Sequence, residues 1–303
     1  MSVSLSTPQP GIFALGTASH AYLELDLQDG ARAADLVAGI ADLREPRTTI
    51  GGINFVAGFR PELWLEVAPH DTPPGLHGFD EPLVGPDGYT MPATQHDALL
   101  WLAGSSYDVV FDVARAALSH LAPLARATNE VSCWPYRHHR DLTGFIDGTE
   151  NPSVAEAQIA ALIPPGASGA GGSVVLLQQW IHDTAWDALP VHAQEQAMGR
   201  TKEDSVELDD RPEDSHVART DQEEFGDIFR RNMPFGTVIE HGTMFVGFSA
   251  EQQRLSRMLE SMAGMLGTPR DALTRYAKPV TGSYYFVPSV PVLEAFGTAE
   301  DED

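Results

Sequence analysis

A chain of 303 residues is long enough for one large domain or two of ordinary size, and 43% hydrophobic with 20% charged residues is an ordinary globular balance. Forty-three acids against 19 Lys and Arg leave a formal charge of −24. That argues against nucleic acid or an anionic membrane as partner, because phosphate binding needs clustered cations, and it favours neutral or cationic substrates. The lone cysteine, Cys133, excludes an intrachain disulfide and any cysteine-cluster zinc or iron–sulfur centre. No apolar run approaches the ~20 residues of a membrane span. No signal-peptide pattern opens the chain either, so a cytoplasmic protein is expected.

Residues 1–11 are rich in Ser, Thr and Pro and read as loose, and 12–27 alternate apolar and polar residues as a half-buried strand does. Residues 31–43 carry Ala33, Leu36, Val37, Ile40 and Leu43 at helical spacing. A second strand is expected over 53–59, a short helical or extended piece over 61–67, and a long surface loop over 68–95. Order returns with a strand at 95–102 and a helix burying Val110, Val113, Ala114, Ala117, Leu118 and Leu121. The pattern recurs about 145 residues later: a strand over 240–248, then a helix with Leu255, Met258, Leu259, Met262 and Leu266 inward. Strand–loop–helix units at half the chain length predict an α+β protein of two ferredoxin-like domains with antiparallel sheets, at 1–139 and 140–303. The boundary falls at the basic cluster Arg137, His138, His139, Arg140, which reads as a solvated linker. In the second half, 154–163 reads as a helix, 173–181 as a buried strand, 186–198 as partly helical and 201–214 as a solvated acidic loop.

At the junction stands Gly144-Phe145-Ile146-Asp147-Gly148-Thr149-Glu150-Asn151-Pro152. Its glycines allow close backbone approach, and bulky Phe145 and Ile146 place Asp147 beside apolar surface, as an acid–base group requires. On its own the stretch reads as a tight turn with a capping aspartate. There is no His-Glu-x-x-His pair, no Gly-x-Ser-x-Gly elbow and no Walker loop, and the glycines of 166–172 follow Pro164-Pro165, not a strand. What remains downstream is His216 in Ser215-His216-Val217, and Arg230-Arg231-Asn232-Met233-Pro234.

With Gly-x-x-Asp-Gly, the later histidine and Arg-x-Asn in this order, the chain resembles the dye-decolourising peroxidases, and within them the compact bacterial B-type members. The resemblance covers most of the chain. It includes Thr94-Gln95-His96-Asp97, Gly199-Arg200-Thr201-Lys202 and Gly282-Ser283-Tyr284-Tyr285-Phe286. It implies two ferredoxin-like domains (dimeric α/β-barrel-like) with a non-covalent haem b in the C-terminal one, and oxidation of phenolic or dye-like reductants by hydrogen peroxide through a ferryl intermediate. By the same resemblance His216 is the axial iron ligand, Asp147 the distal acid–base, Arg230 the stabiliser of peroxide charge, and Asn232 a residue that positions peroxide or water. Gly148 and Thr149 would approach the porphyrin. In a strand Asn232 shares a face with Arg230, so Arg231 faces the other way and would be structural or meet a propionate, with Arg200 as the second propionate candidate. Asp271, with Glu260 as rival, would take the second N–H of His216. Trp180, Trp186, Tyr276, Tyr284 and Tyr285 are candidates to carry electrons to bulky reductants, with core packing the blander reading. An aspartate base, with an ordinary pKa of ~3.9, predicts turnover on the acid side. The alternatives are a haem-handling protein with incidental peroxidase activity, or a scaffold that binds no haem. A homo-oligomer stays open. No targeting tail is read at 298–303, so packaging in a nanocompartment is not expected.

Overall fold

The structure is a computed structural model describing residues 6–43, 52–137 and 140–298; His138, His139 and the terminal acids Asp301 to Asp303 lie outside the described residues. A 3-10 turn at Pro10–Phe13 leads to β1 (Ser19–Leu27), followed by α1 (Ala33–Ala41), β2 (Asn54–Phe59) and α2 (Pro61–Val67). The expected loop then carries only a small hairpin, β3 (Leu83–Val84) with β4 (Thr90–Met91). The half closes with β5 (Ala98–Gly104), α3 (Tyr107–Leu121) and β6 (Ala125–Cys133). The second half runs α4 (Val154–Ala161), β7 (Ser173–His182), α5 (Val191–Met198), α6 (His216–Arg219) and α7 (Gln222–Phe225). It continues with β8 (Phe229–Arg230), β9 (Met233–Gly236), β10 (His241–Ser249), α8 (Gln252–Met262), β11 (Ala277–Pro279), β12 (Ser283–Val287) and α9 (Val290–Glu294).

The first-half strands lie in the order β2-β5-β1-β6 and the second-half strands in the order β9-β10-β7-β12, all antiparallel. Counted within each half, both follow one scheme (second, third, first, fourth), which is the ferredoxin-like arrangement. Two narrow seams join them, Cys133 opposite Phe235 and Phe59 opposite Phe286. With both seams made, eight strands close into a barrel.

Closure explains a departure in β1. Its first seven residues are buried on both parities, where the sequence suggests a half-buried strand. Leu23 and Leu25 pack under α1 and α3, while Tyr22 faces the barrel interior with Trp101, Val131 and Tyr285. Arg231 stacks over Trp101 at 5.0 Å and donates to the carbonyls of Gly11, Ile12 and Ala14, so it belongs to the core and not to a propionate. The strand expected at 95 begins at Ala98, because the Gln95 side chain is used to tie Phe79 to Tyr284. Helix α8 buries Leu255, Met258, Leu259 and Met262 as its spacing demands, but stops short of Leu266, which is exposed; Gly264 turns the chain at φ +74°. A third core, under α8 on the outer face of β7, adjoins the site.

Candidate active site

The central motif is held from several sides. Arg140 is no solvated linker residue: its guanidinium donates to the carbonyls of Gly144 (2.7 Å), Lys202 (2.8 Å) and Glu203 (2.8 Å). Phe145 is buried against Trp186, whose indole N–H donates to the Thr143 carbonyl at 2.9 Å. Gly144 and Gly148 sit at φ +86° and +76°, where a side chain would be strained, and a Cβ on Gly144 would meet Lys202 Cε at 2.7 Å. Asp147 therefore projects from a turn with little freedom. The turn reading of this stretch describes its geometry correctly.

Arg230 and Asn232 flank Arg231 along one strand edge. The pairings Arg230–Gly247 and Met233–Met244 share a register, so Arg230 and Asn232 face the same side and Arg231 the other. One rung is altered. The N–H of Val246 donates to the side-chain oxygen of Asn232 (3.1 Å), and the Asn232 amide then donates to Asp147 Oδ1 at 3.2 Å. Both ends of this amide are thus engaged, and one of them fixes Asp147. Asn151, at the end of the motif, accepts from the Arg230 N–H (2.8 Å) and donates to its carbonyl (2.9 Å), clamping that backbone to the loop.

His216 opens α6, with Ser215 as its N-cap. Its Nδ1 lies 2.7 Å from Oδ2 of Asp271, whose side chain has no exposed surface, and its Nε2 makes no hydrogen bond among the described residues. Glu260 is not involved. Asp271 Oδ1 also accepts from the Leu273 N–H, which fixes the carboxylate.

All seven residues singled out in the sequence, Asp147, Gly148, Thr149, Arg200, His216, Arg230 and Asn232, line one cavity of about 290 Å³. Its apolar wall includes Leu176 and Phe245 from the sheet and Met258, Leu259 and Met262 from α8. Several buried polar atoms in its lining have no partner among the described residues: Nε of Arg230, Nε of Arg200, and both amide ends of Gln178. Arg200 donates to the Ser205 carbonyl and pairs with Glu150 and Glu207. The segment expected as a solvated acidic loop is exposed at Glu203, Asp204, Glu207, Asp209 and Asp210 and turns inward at Ser205.

Of the aromatics proposed to carry electrons, Trp180, Trp186, Tyr284 and Tyr285 are buried and pack in cores; Tyr276 is half-buried. Sequence reasoning missed Asp141, which stands in the same cavity wall. Burial and the negative charge of Asp147 push its carboxyl up to about 6. It missed His182 too, held down to about 4 by burial.

The family profile described as "Dyp-type peroxidase, C-terminal" matches residues 138–292. A dye-decolorizing peroxidase of Rhodococcus erythropolis is 35% identical over 95% of this chain and 88% of its own length. The chain belongs to the Dyp-type peroxidase family. It is accordingly an oxidoreductase with peroxide as oxidant. Among Dyp structures, DyPB of Rhodococcus jostii RHA1 superposes with a TM-score of 0.83 at 34% identity, covering 97% of this chain and 99% of that one. A variant of that DypB in complex with heme gives 0.82 at 32%, covering 97% and 98%. An encapsulated Dyp-type peroxidase from Mycobacterium smegmatis gives 0.82 at 30%, covering 95% and 98%. Packaging therefore occurs on this fold, whereas the expectation against it rested on a tail whose residues from 299 onward are not described. No helix among the described residues is long and apolar enough to cross a membrane.

Proposed function

We propose that this chain is a haem b peroxidase that uses hydrogen peroxide to oxidise phenolic or dye-like aromatic reductants. The observation that carries the reading is His216: its Nδ1 is locked on a buried carboxylate while Nε2 is left for a ligand, in the cavity that also holds Asp147 and Arg230. A heme-bound DypB with the same fold supports it. The lining fits a porphyrin. It offers one imidazole, an apolar wall, and unpartnered Arg200 and Arg230 nitrogens suited to anionic groups.

His216 would hold the iron, with Asp271 keeping the imidazole oriented and electron-rich. Haem, when bound, supplies the electron-transfer chemistry that peroxide reduction needs. The remaining work falls to side chains. Asp147, held by the Asn232 amide, takes a proton from peroxide and returns it to the departing oxygen. Arg230, positively charged at any working pH, stabilises negative charge developing on that oxygen. Gly148 and Thr149, in the cavity lining, would lie beside the bound group, and Arg200, now paired with Glu150, would take a propionate in its place.

The test is direct. His216→Ala should abolish haem uptake as read by the Soret band. Asp147→Ala and Arg230→Ala should bind haem yet react with peroxide at least ~100-fold more slowly in rapid mixing. Haem binding with unchanged rates in both variants would leave a haem-handling protein as the better account.

A further inference from the structure

Next to the main cavity lies a second one of about 140 Å³, whose lining includes Leu15, Tyr136, Arg140 and Arg231. Asp141, Asp147, Gly148, Arg230, Asn232 and Thr243 line both cavities and form the wall between them. Asp141 is the ionisable member of that wall without an assigned task. Its Oδ1 accepts from the N–H of Thr143 at 2.8 Å and from the Thr143 hydroxyl. That is turn chemistry, and a structural aspartate needs nothing more. Yet Oδ2 has no hydrogen-bond partner among the described residues, and the carboxyl stands beside a second carboxylate with no cation paired to either.

Among the described residues, the charged groups that act on it are Asp147 and His216; Arg230, Arg140 and Arg231 line the second cavity beside it, and Lys202 lies against Gly144 of the same turn. Arg140 and Arg231 are each occupied by three backbone carbonyls, and Lys202 Nζ donates to Gln194. Burial and the charge of Asp147 therefore outweigh the Thr143 hydrogen bonds and the pull of His216, and the carboxyl retains its proton up to about pH 6. Two adjacent carboxyls that share one site do not readily ionise together.

We propose that Asp141 is a positioning residue that holds the proton of a carboxyl pair and passes it from the second cavity to Asp147. This rests on the reading of Asp147 as the acid–base group. Reduction of one peroxide breaks the O–O bond and yields two waters; it consumes two electrons, from two molecules of aromatic reductant, and two protons. Both protons of the water first released come from peroxide itself, one of them by way of Asp147. The two protons consumed with the two electrons reach the remaining oxygen through Asp147; each is replaced from Asp141, and Asp141 recovers it from solvent through the second cavity.

The experiment compares haem-loaded wild type, Asp141→Asn, Thr143→Val and Asp147→Asn. Infrared titration with aspartate-specific isotope labelling should find a carboxyl that ionises near pH 6 in wild type. It should be absent in Asp141→Asn and shifted to lower pH in Asp147→Asn, where the neighbouring charge is gone. Thr143→Val, which takes one hydrogen bond from the carboxylate, should shift it to higher pH. In Asp141→Asn, steady-state turnover at pH 5 should fall about ten-fold and the alkaline limb of the profile should flatten, while the first reaction with peroxide changes less than about three-fold. An unaltered profile in Asp141→Asn, or a titration that ignores Asp147→Asn, overturns the proposal. Should Asp141→Asn slow the first peroxide reaction as severely as Asp147→Asn, Asp141 would be an acid–base group itself and the relay would be wrong. A first reaction undiminished in Asp147→Asn is a different failure, that of the reading of Asp147.

Discussion

Oδ2 of Asp271 lies 2.7 Å from Nδ1 of His216, and the two residues are 55 positions apart in the chain. The contact fixes the ring and the identity of its free nitrogen. Asp271→Asn should keep the fold but weaken haem binding about 10- to 100-fold, as loss of such a partner commonly does. Glu260→Gln should leave affinity unchanged. Haem titration of both variants checks the assignment, and equal effects would refute it.

Arg230 and Arg231 are neighbours with separate tasks. Arg231, 4% exposed, satisfies three carbonyls and covers Trp101. Arg231→Ala leaves those carbonyls unpaired and should destabilise the chain by on the order of 3 kcal/mol. Arg230→Ala should cost far less stability and far more activity. Chemical denaturation beside rapid mixing would separate the two.

Asn151 is read in the sequence as turn chemistry, yet its amide grips the Arg230 backbone from both sides. Asn151→Asp keeps the acceptor but sets a carboxylate against a carbonyl. It should displace Arg230 and slow the peroxide reaction by at least ~10-fold, with little change in haem binding. A rate equal to wild type would show that the clamp does not position Arg230.

His20 has no exposed surface, and burial with the nearby Arg231 charge lowers its pKa to about 4. A histidine with a depressed folded pKa favours the native state above its unfolded value of about 6.5, and that contribution is lost as pH falls toward 4. The loss is on the order of 3 kcal/mol when complete. Wild type should therefore lose stability between pH 6.5 and 4 more steeply than His20→Gln, in urea titrations at several pH values.

Asp147, His216, Arg230 and Asn232 are picked out by the order of their motifs and the family resemblance that order carries, and the fold brings all four to one cavity. The alternation of Arg230, Arg231 and Asn232 followed from strand parity alone, and the register bears it out. What could not be read depends on distant contacts. Asp271 and Glu260 look equally suitable until the fold brings one of them to His216. Asp141, two residues before a threonine, looks like any turn aspartate until Asp147 lies beside it. Arg140 looks like a linker charge because nothing local shows the three carbonyls it meets. Strand β6 escaped notice because its polar residues mask an edge that is completed by β1. The burial of β1 on both faces needed a closed barrel.

The two seams of that barrel bear on how the chain escapes self-association during folding. Before they close, each half is an open sheet with two bare edges, β2 and β6 in one and β12 and β9 in the other. Bare edges recruit strands from other molecules. The partner of β2 is β12, close to the end of the described chain, so the first half must wait with its edge open while the second is made. The vulnerable species is therefore the half-built chain, and slowing the arrival of β12 should raise aggregation even where the finished protein is no less stable.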